Sequence, residues 1–201
     1  MRITLKKILF VGIGLVSAVM FLMVLACNAG FALNDAAMKG SILDVMGKKD
    51  GLDAIILSDW TTAMVQGGGA VNVNDYAAGV RAVISAFGYV HLVFVILSFA
   101  ALVGGFFIKQ VRGTRKLVIP FLAISIVTGL IAALVLLLTV GLVTNAGVTA
   151  GGYTYYLAKV TGGTTPLVFE GLGVVFFVAA IIVSGVVPEK VFVGKTEEEK
   201  K

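Results

Sequence analysis

The chain of 201 residues holds one cysteine, one histidine, one tryptophan and three prolines. A lone Cys27 excludes an intrachain disulfide, so the segments between helices must hold together without one. A lone His91 excludes paired axial haem ligands. No Cys/His/Asp/Glu cluster has the spacing of a conventional metal site, so no cofactor is expected. No Asn-x-Ser/Thr sequon occurs anywhere, which fits a prokaryotic cytoplasmic membrane better than a eukaryotic cell surface. Neither Gly67–Gly69 nor Gly162-Gly163 leads into Lys-Ser/Thr, so neither reads as a phosphate loop. Charge is scarce as well. Asp, Glu, Lys and Arg make up 13% of the chain, against about 25% in a soluble domain. A water-soluble core is excluded.

What is present is hydrophobic residue, at 59% of the chain, with a mean hydropathy of +1.04. It is gathered into four runs near 8–33, 81–108, 117–144 and 166–187, each near or above the roughly 20 residues a helix needs to cross a bilayer. The run from Arg81 to Ile108 organises the rest, because it carries His91 and leads directly into a basic connector. The predicted fold class is an all-α membrane protein. It is a single four-transmembrane-helix bundle over 1–187, with both termini cytoplasmic and a tail over 188–201. Two outer loops, 34–80 and 145–165, join the spans.

The first run, preceded by Arg2, Lys6 and Lys7, also reads as a secretory signal, and Val24–Cys27 loosely resembles a lipoprotein box. Its apolar part is longer than the roughly 7–15 residues of a signal h-region, which favours a retained helix. The first outer loop is expected to be partly helical. Ser41 and Asp44 can cap a short turn that Gly47 ends. Residues 51–66 place Leu52, Ile55, Ile56, Trp60, Ala63 and Met64 on one helical face, a helix lying on the bundle or membrane surface. Asn74-Asp75 then begins the helix that continues into the second run. Pro120 is expected in the first turn of the third helix, where its missing N–H costs nothing. The second loop is Gly/Thr-rich and bears Tyr153, Tyr155 and Tyr156, residues suited to an interface.

Positive charge sets the predicted orientation. Placing the N-terminus, the connector with Lys109, Arg112, Arg115 and Lys116, and the tail inside leaves only Lys39, Lys48, Lys49, Arg81 and Lys159 outside. Excess Lys/Arg belongs on the cytoplasmic side. The same clustering explains the net charge of +5 without nucleic acid, and makes the four connector cations candidate contacts for anionic lipid headgroups.

Each run carries small or polar residues on one face: Gly14 and Ser17; Gly88, His91, Ser98 and Gly105; Ser125, Thr128, Ala132 and Thr139; Glu170, Gly173, Ala180 and Ser184. Membrane helices associate through such residues, because lipid offers leucine no gain from burial against another helix. His91, about ten residues beyond Arg81, lies roughly 15 Å into its span. Ionisable groups at that depth face the protein interior or a wet cavity. Two readings stay open for it: a proton relay or gate, and a neutral ring clasping the bundle. Glu170, about one turn into the fourth span, is expected to pair with Arg81 at the outer rim. The layout is similar in topology to tetraspan families such as claudins and tetraspanins. The likeness is of layout alone, since the cysteines of their outer loops are absent, and no residue is carried over from it.

Two functions follow as expectations. The first is a non-enzymatic membrane scaffold or assembly subunit that docks other membrane subunits, or copies of itself, through its outer loops and small-residue faces. The alternative is a small channel or transporter subunit using His91 and Glu170. No nucleophile stands beside a base, so catalysis is not expected.

Overall fold

The computed structural model describes residues 4–30, 32–33, 36–37, 40–47, 73–105, 107, 111–145, 147–150, 153–156 and 160–188, with side chains over 4–30, 40–47, 79–105, 107, 111–138 and 162–188. The predicted helix at 51–66 with Trp60, the Gly67–Gly69 break, Lys109 and the tail beyond 188 lie outside the described residues.

Four long helices carry the four apolar runs: α1 (Leu5–Ala26), α3 (Val73–Gly104), α4 (Val111–Asn145) and α5 (Thr165–Val186). A short α2 (Ile42–Met46) lies between α1 and α3. All four long helices are apolar enough over enough length to cross a membrane. α1 packs chiefly on α5 and α3 chiefly on α4, with α1–α3 and α4–α5 contacts closing the ring.

The boundaries differ from the predicted ones for local reasons. α1 ends at Ala26 rather than near 33, because the Asn28 side chain accepts the Gly30 amide at 3.0 Å and Gly30 turns at φ 75°. Asn closing on its own backbone two residues ahead, followed by a glycine in the left-handed region, is a turn and not a helix. α4 begins at Val111 rather than 117. Arginine and lysine are good helix formers, and nothing between Val111 and Leu117 stops the helix except one Gly113. Pro120 therefore sits inside α4, not in its first turn.

α2 forms as its sequence predicts. The Ser41 hydroxyl accepts the Asp44 amide and the Asp44 carboxylate accepts the Ser41 amide at 2.7 Å, a reciprocal cap. The helix then closes the bundle end: Ile42, Val45 and Met46 join Val24, Leu25, Ile84, Ala132 and Leu136 in one apolar cluster, and the Tyr89 hydroxyl donates to the Met46 carbonyl at 3.3 Å. The segments that follow α1 and precede α5 are tied by backbone. Strand β1 (Ala32–Leu33) pairs antiparallel with both β2 (Ala36–Ala37) and β5 (Val160–Thr161). Strands β3 (Gly147–Ala150) and β4 (Tyr153–Tyr156) form a hairpin in the stretch read from sequence as a loop. Its Val, Thr and Tyr residues favour pleated backbone.

The long helices are turned polar side in. Ser17, His91, Ser98, Ser125, Thr128, Glu170 and Ser184 are buried, while Val93, Ile96, Phe99, Val127, Leu138, Val175 and Ile182 are exposed. Water would drive the opposite arrangement. Hydrocarbon explains this one, because the polar groups hide from lipid and the apolar side chains meet it. The chain is an integral membrane protein with four candidate transmembrane helices.

Candidate functional site

Two apolar clusters occupy the two halves of the bundle. One holds Val24, Leu25, Ile84, Ala132 and Leu136; the other holds Phe10, Ala18, Phe21, Val95, Leu102, Leu122 and Phe177. Along three helices the residues between these sets include a polar or glycine stretch: Gly88 and His91 on α3, Ser125, Thr128 and Gly129 on α4, Glu170 and Gly173 on α5. On α1, Ser17 lies a turn from Phe21 and reaches the same level. The result is one polar layer across the bundle.

His91 is its centre, with 0% of its surface exposed. Its Nδ1 lies 2.7 Å from the Ser125 carbonyl oxygen on α4, and its Nε2 lies 2.7 Å from the Phe21 carbonyl oxygen on α1. The ring also meets the Phe21 ring edge-on, with centroids 6.2 Å apart. Carbonyl oxygens only accept, so each contact needs a proton on its nitrogen. A neutral imidazole carries one such proton, and the ring satisfies both carbonyls only when doubly protonated. In either form one side chain from α3 reaches the backbones of α1 and α4.

Glu170 enters the layer from α5. It is 2% exposed, and neither carboxyl oxygen has a hydrogen-bond partner. The expected Arg81–Glu170 pair is therefore not formed. Glu170 lies at the level of His91, ten residues along α3 from Arg81, so roughly 15 Å of depth separates it from the half-buried Arg81. Glu170 instead converges with His91 on Gly129. A Cβ added there would sit 2.5 Å from His91 Nδ1 and 2.6 Å from Glu170 Oε2. Gly129 is thus the gap into which both side chains fit.

The buried Thr114 hydroxyl has no partner, and the hydroxyls of Ser17, Ser98, Ser125, Thr128 and Ser184 divide into two kinds. Ser98, Ser125, Thr128 and Ser184 donate to carbonyls three or four residues back on their own helices, as in Ser98 to Phe94 at 2.7 Å. They hide a polar group without joining helices. Ser17 donates across, to the Gly173 carbonyl on α5 at 2.8 Å. Gly173 also admits the Phe21 ring, which a Cβ would meet at 2.5 Å. Ser17 and His91 thus both bond across helices within this one layer.

Of the residues singled out from sequence, the structure brings His91 and Glu170 together and leaves Arg81 apart. Gly129 carried no distinguishing signal, although its neighbours Ser125 and Thr128 mark its face. Three predicted lipid contacts, Arg112, Arg115 and Lys116, gather at the start of α4 around a groove of about 400 Å³. Cys27 is buried beyond the end of α1, and burial pushes its thiol up, away from the reactive thiolate. Among the described residues no group of His, Cys, Asp and Glu is placed to hold a metal ion.

The class these features define is a four-helix integral membrane protein with a polar layer at its core. Comparison with protein-family models, curated proteins and solved structures returns no match, so function is argued from the residues themselves.

Proposed function

We propose that the chain is a non-enzymatic membrane scaffold or assembly subunit. The observation that supports this most directly is the way the polar layer ties helices together. His91 is directed at two backbone carbonyls on two other helices, in a space where even a methyl at Gly129 would collide. Such an arrangement fixes helix positions, as a scaffold requires. The predicted small-residue stripes face inward wherever their side chains are described, so they serve the bundle itself. Docking falls instead to the outer segments, joined through β1 and β5, and to outward helix faces. On α5, Gly171, Val175, Val178, Ile182 and Gly185 are all exposed, and their alternating spacing of four and three suits a near-parallel neighbouring helix. A second copy or another membrane subunit is the partner class. On the excess of positive charge that they share with the basic connector, both termini are taken to be cytoplasmic, and the membrane to be a prokaryotic cytoplasmic membrane.

One observation favours a second reading. An unpaired buried carboxyl beside an imidazole facing two acceptors is a costly arrangement, and a channel or transporter subunit would use such a pair to carry protons. The two readings separate in liposomes. The scaffold role predicts no pH-driven ion flux from either the native chain or His91→Ala. Flux in the native chain that disappears in His91→Ala would replace it with the transport role. Native mass spectrometry of the gently extracted protein should show copurifying copies or subunits.

A further inference from the structure

We infer that the start of α4 is a binding site for one anionic phospholipid, with the phosphate held by Arg112, Arg115 and Lys116 and the first acyl carbons lying on Ile119 and Pro120. These five residues line the groove of about 400 Å³, within the roughly 300–1,000 Å³ of small-molecule sites. All five share one face of α4. Arg112, Arg115 and Lys116 stand at i, i+3 and i+4, and Ile119 and Pro120 continue the same face one turn on. Charge therefore gives way to apolar surface along about 12 Å of helix. A phospholipid has the same order from headgroup to chain.

Among the described residues the charge on this rim is uncompensated. The acidic side chains described in detail are Asp44 and Glu170, one beside the α2 cap and the other in the polar layer. Among the described residues none faces Arg112, Arg115 or Lys116. The depth is right as well. These cations precede the long apolar part of α4, where a bilayer puts its phosphates, and guanidinium groups hold phosphate oxygens in paired hydrogen bonds. Because the helix continues through Arg112 to Lys116 instead of beginning at Leu117, the cations are held in register and not strung along a loop. The site is independent of the scaffold reading, since it concerns a lipid and not a protein partner.

The test uses the full chain reconstituted in phosphatidylcholine vesicles doped with phosphatidylglycerol, then extracted in mild detergent for native mass spectrometry. The native chain should retain phosphatidylglycerol. The triple variant Arg112→Gln/Arg115→Gln/Lys116→Gln should lose it by at least about tenfold, since each surface cation contributes to anionic-lipid attraction. Arg115→Lys should retain it, and so should Arg2→Gln/Lys6→Gln, which removes charge elsewhere in the basic N-terminal segment. Equal retention by the triple variant would overturn the site, as would equal loss in Arg2→Gln/Lys6→Gln, which would reduce it to general attraction. Free glycerol phosphate should not displace the lipid. Displacement by it would show an anion site that takes no acyl chain, and would also overturn the proposal.

Discussion

The polar layer and the basic start of α4 hold their ionisable groups under opposite rules. In the layer, His91 and Glu170 are buried to within 2% of completely, and the Cβ position at Gly129 is already filled by both. At the start of α4, cations stand around an open groove with no acid beside them among the described residues. Polarity in the first place is turned inward and ties helix to helix. In the second it is offered outward. One chain therefore carries two kinds of polar group that hydropathy alone treats as equals, and they should respond differently to substitution. Changes in the layer should move stability and leave lipid retention alone, whereas changes at the basic end should do the reverse.

The largest effect is expected at Gly129. Gly129→Leu would drive a branched side chain into the space of the His91 ring and the Glu170 carboxyl. Overpacking costs about 1–3 kcal/mol and sometimes more, and here the displaced groups are also polar. A loss above about 3 kcal/mol is expected, read as a collapse of the thermal transition in detergent with little folded protein recovered. A melting temperature within a degree or two of the native value would mean that His91 and Glu170 can move aside, and the layer would no longer count as closed.

The second effect has the opposite sign. Glu170→Met removes two buried oxygens that lack partners and keeps most of the side-chain volume. An unsatisfied buried polar group costs about 1–3 kcal/mol, and replacing buried polarity by a packed apolar side chain is often neutral or stabilising. Glu170→Met should therefore melt higher than the native protein. A marked loss of stability instead would show that Glu170 has a partner holding α5 in place. Comparing it with Glu170→Gln separates shape from charge, because the amide keeps the size and brings donors of its own.

Much of this layer is legible in the sequence. In a run of leucine, valine and isoleucine, the few small or polar residues mark the inward face, and Gly88, His91, Ser98, Ser125, Thr128, Glu170 and Gly173 all point there. Lipid leaves them no other favourable place. The partners of these residues are less legible. Whether Glu170 meets Arg81 or His91 depends on how far α5 is shifted along its axis against α3, and no single run contains that information. Gly129 is silent for a related reason, because a glycine matters only through what approaches it from other helices. The start of α4 was hidden by its charge. A basic stretch between two apolar runs reads as a connector, yet arginine and lysine continue a helix readily, so the span projects past its apolar part and carries its cations with it.

That projection gives the smallest and most discriminating stability prediction. The triple variant at Arg112, Arg115 and Lys116 removes three exposed or half-exposed charges that make no ion pair among the described residues. Surface substitutions of this kind stay within about 0.5 kcal/mol, and glutamine keeps helix propensity close to that of lysine and arginine. In lipid-free detergent its melting temperature should match the native value. With phosphatidylglycerol added, the native chain should gain stability and the variant should not, because a ligand that binds only the folded state stabilises it by mass action. A triple variant already unstable without lipid would place these cations inside the architecture of the bundle. The contrast between an inward-turned layer and an outward-facing end would then fail, because both would be holding helices together.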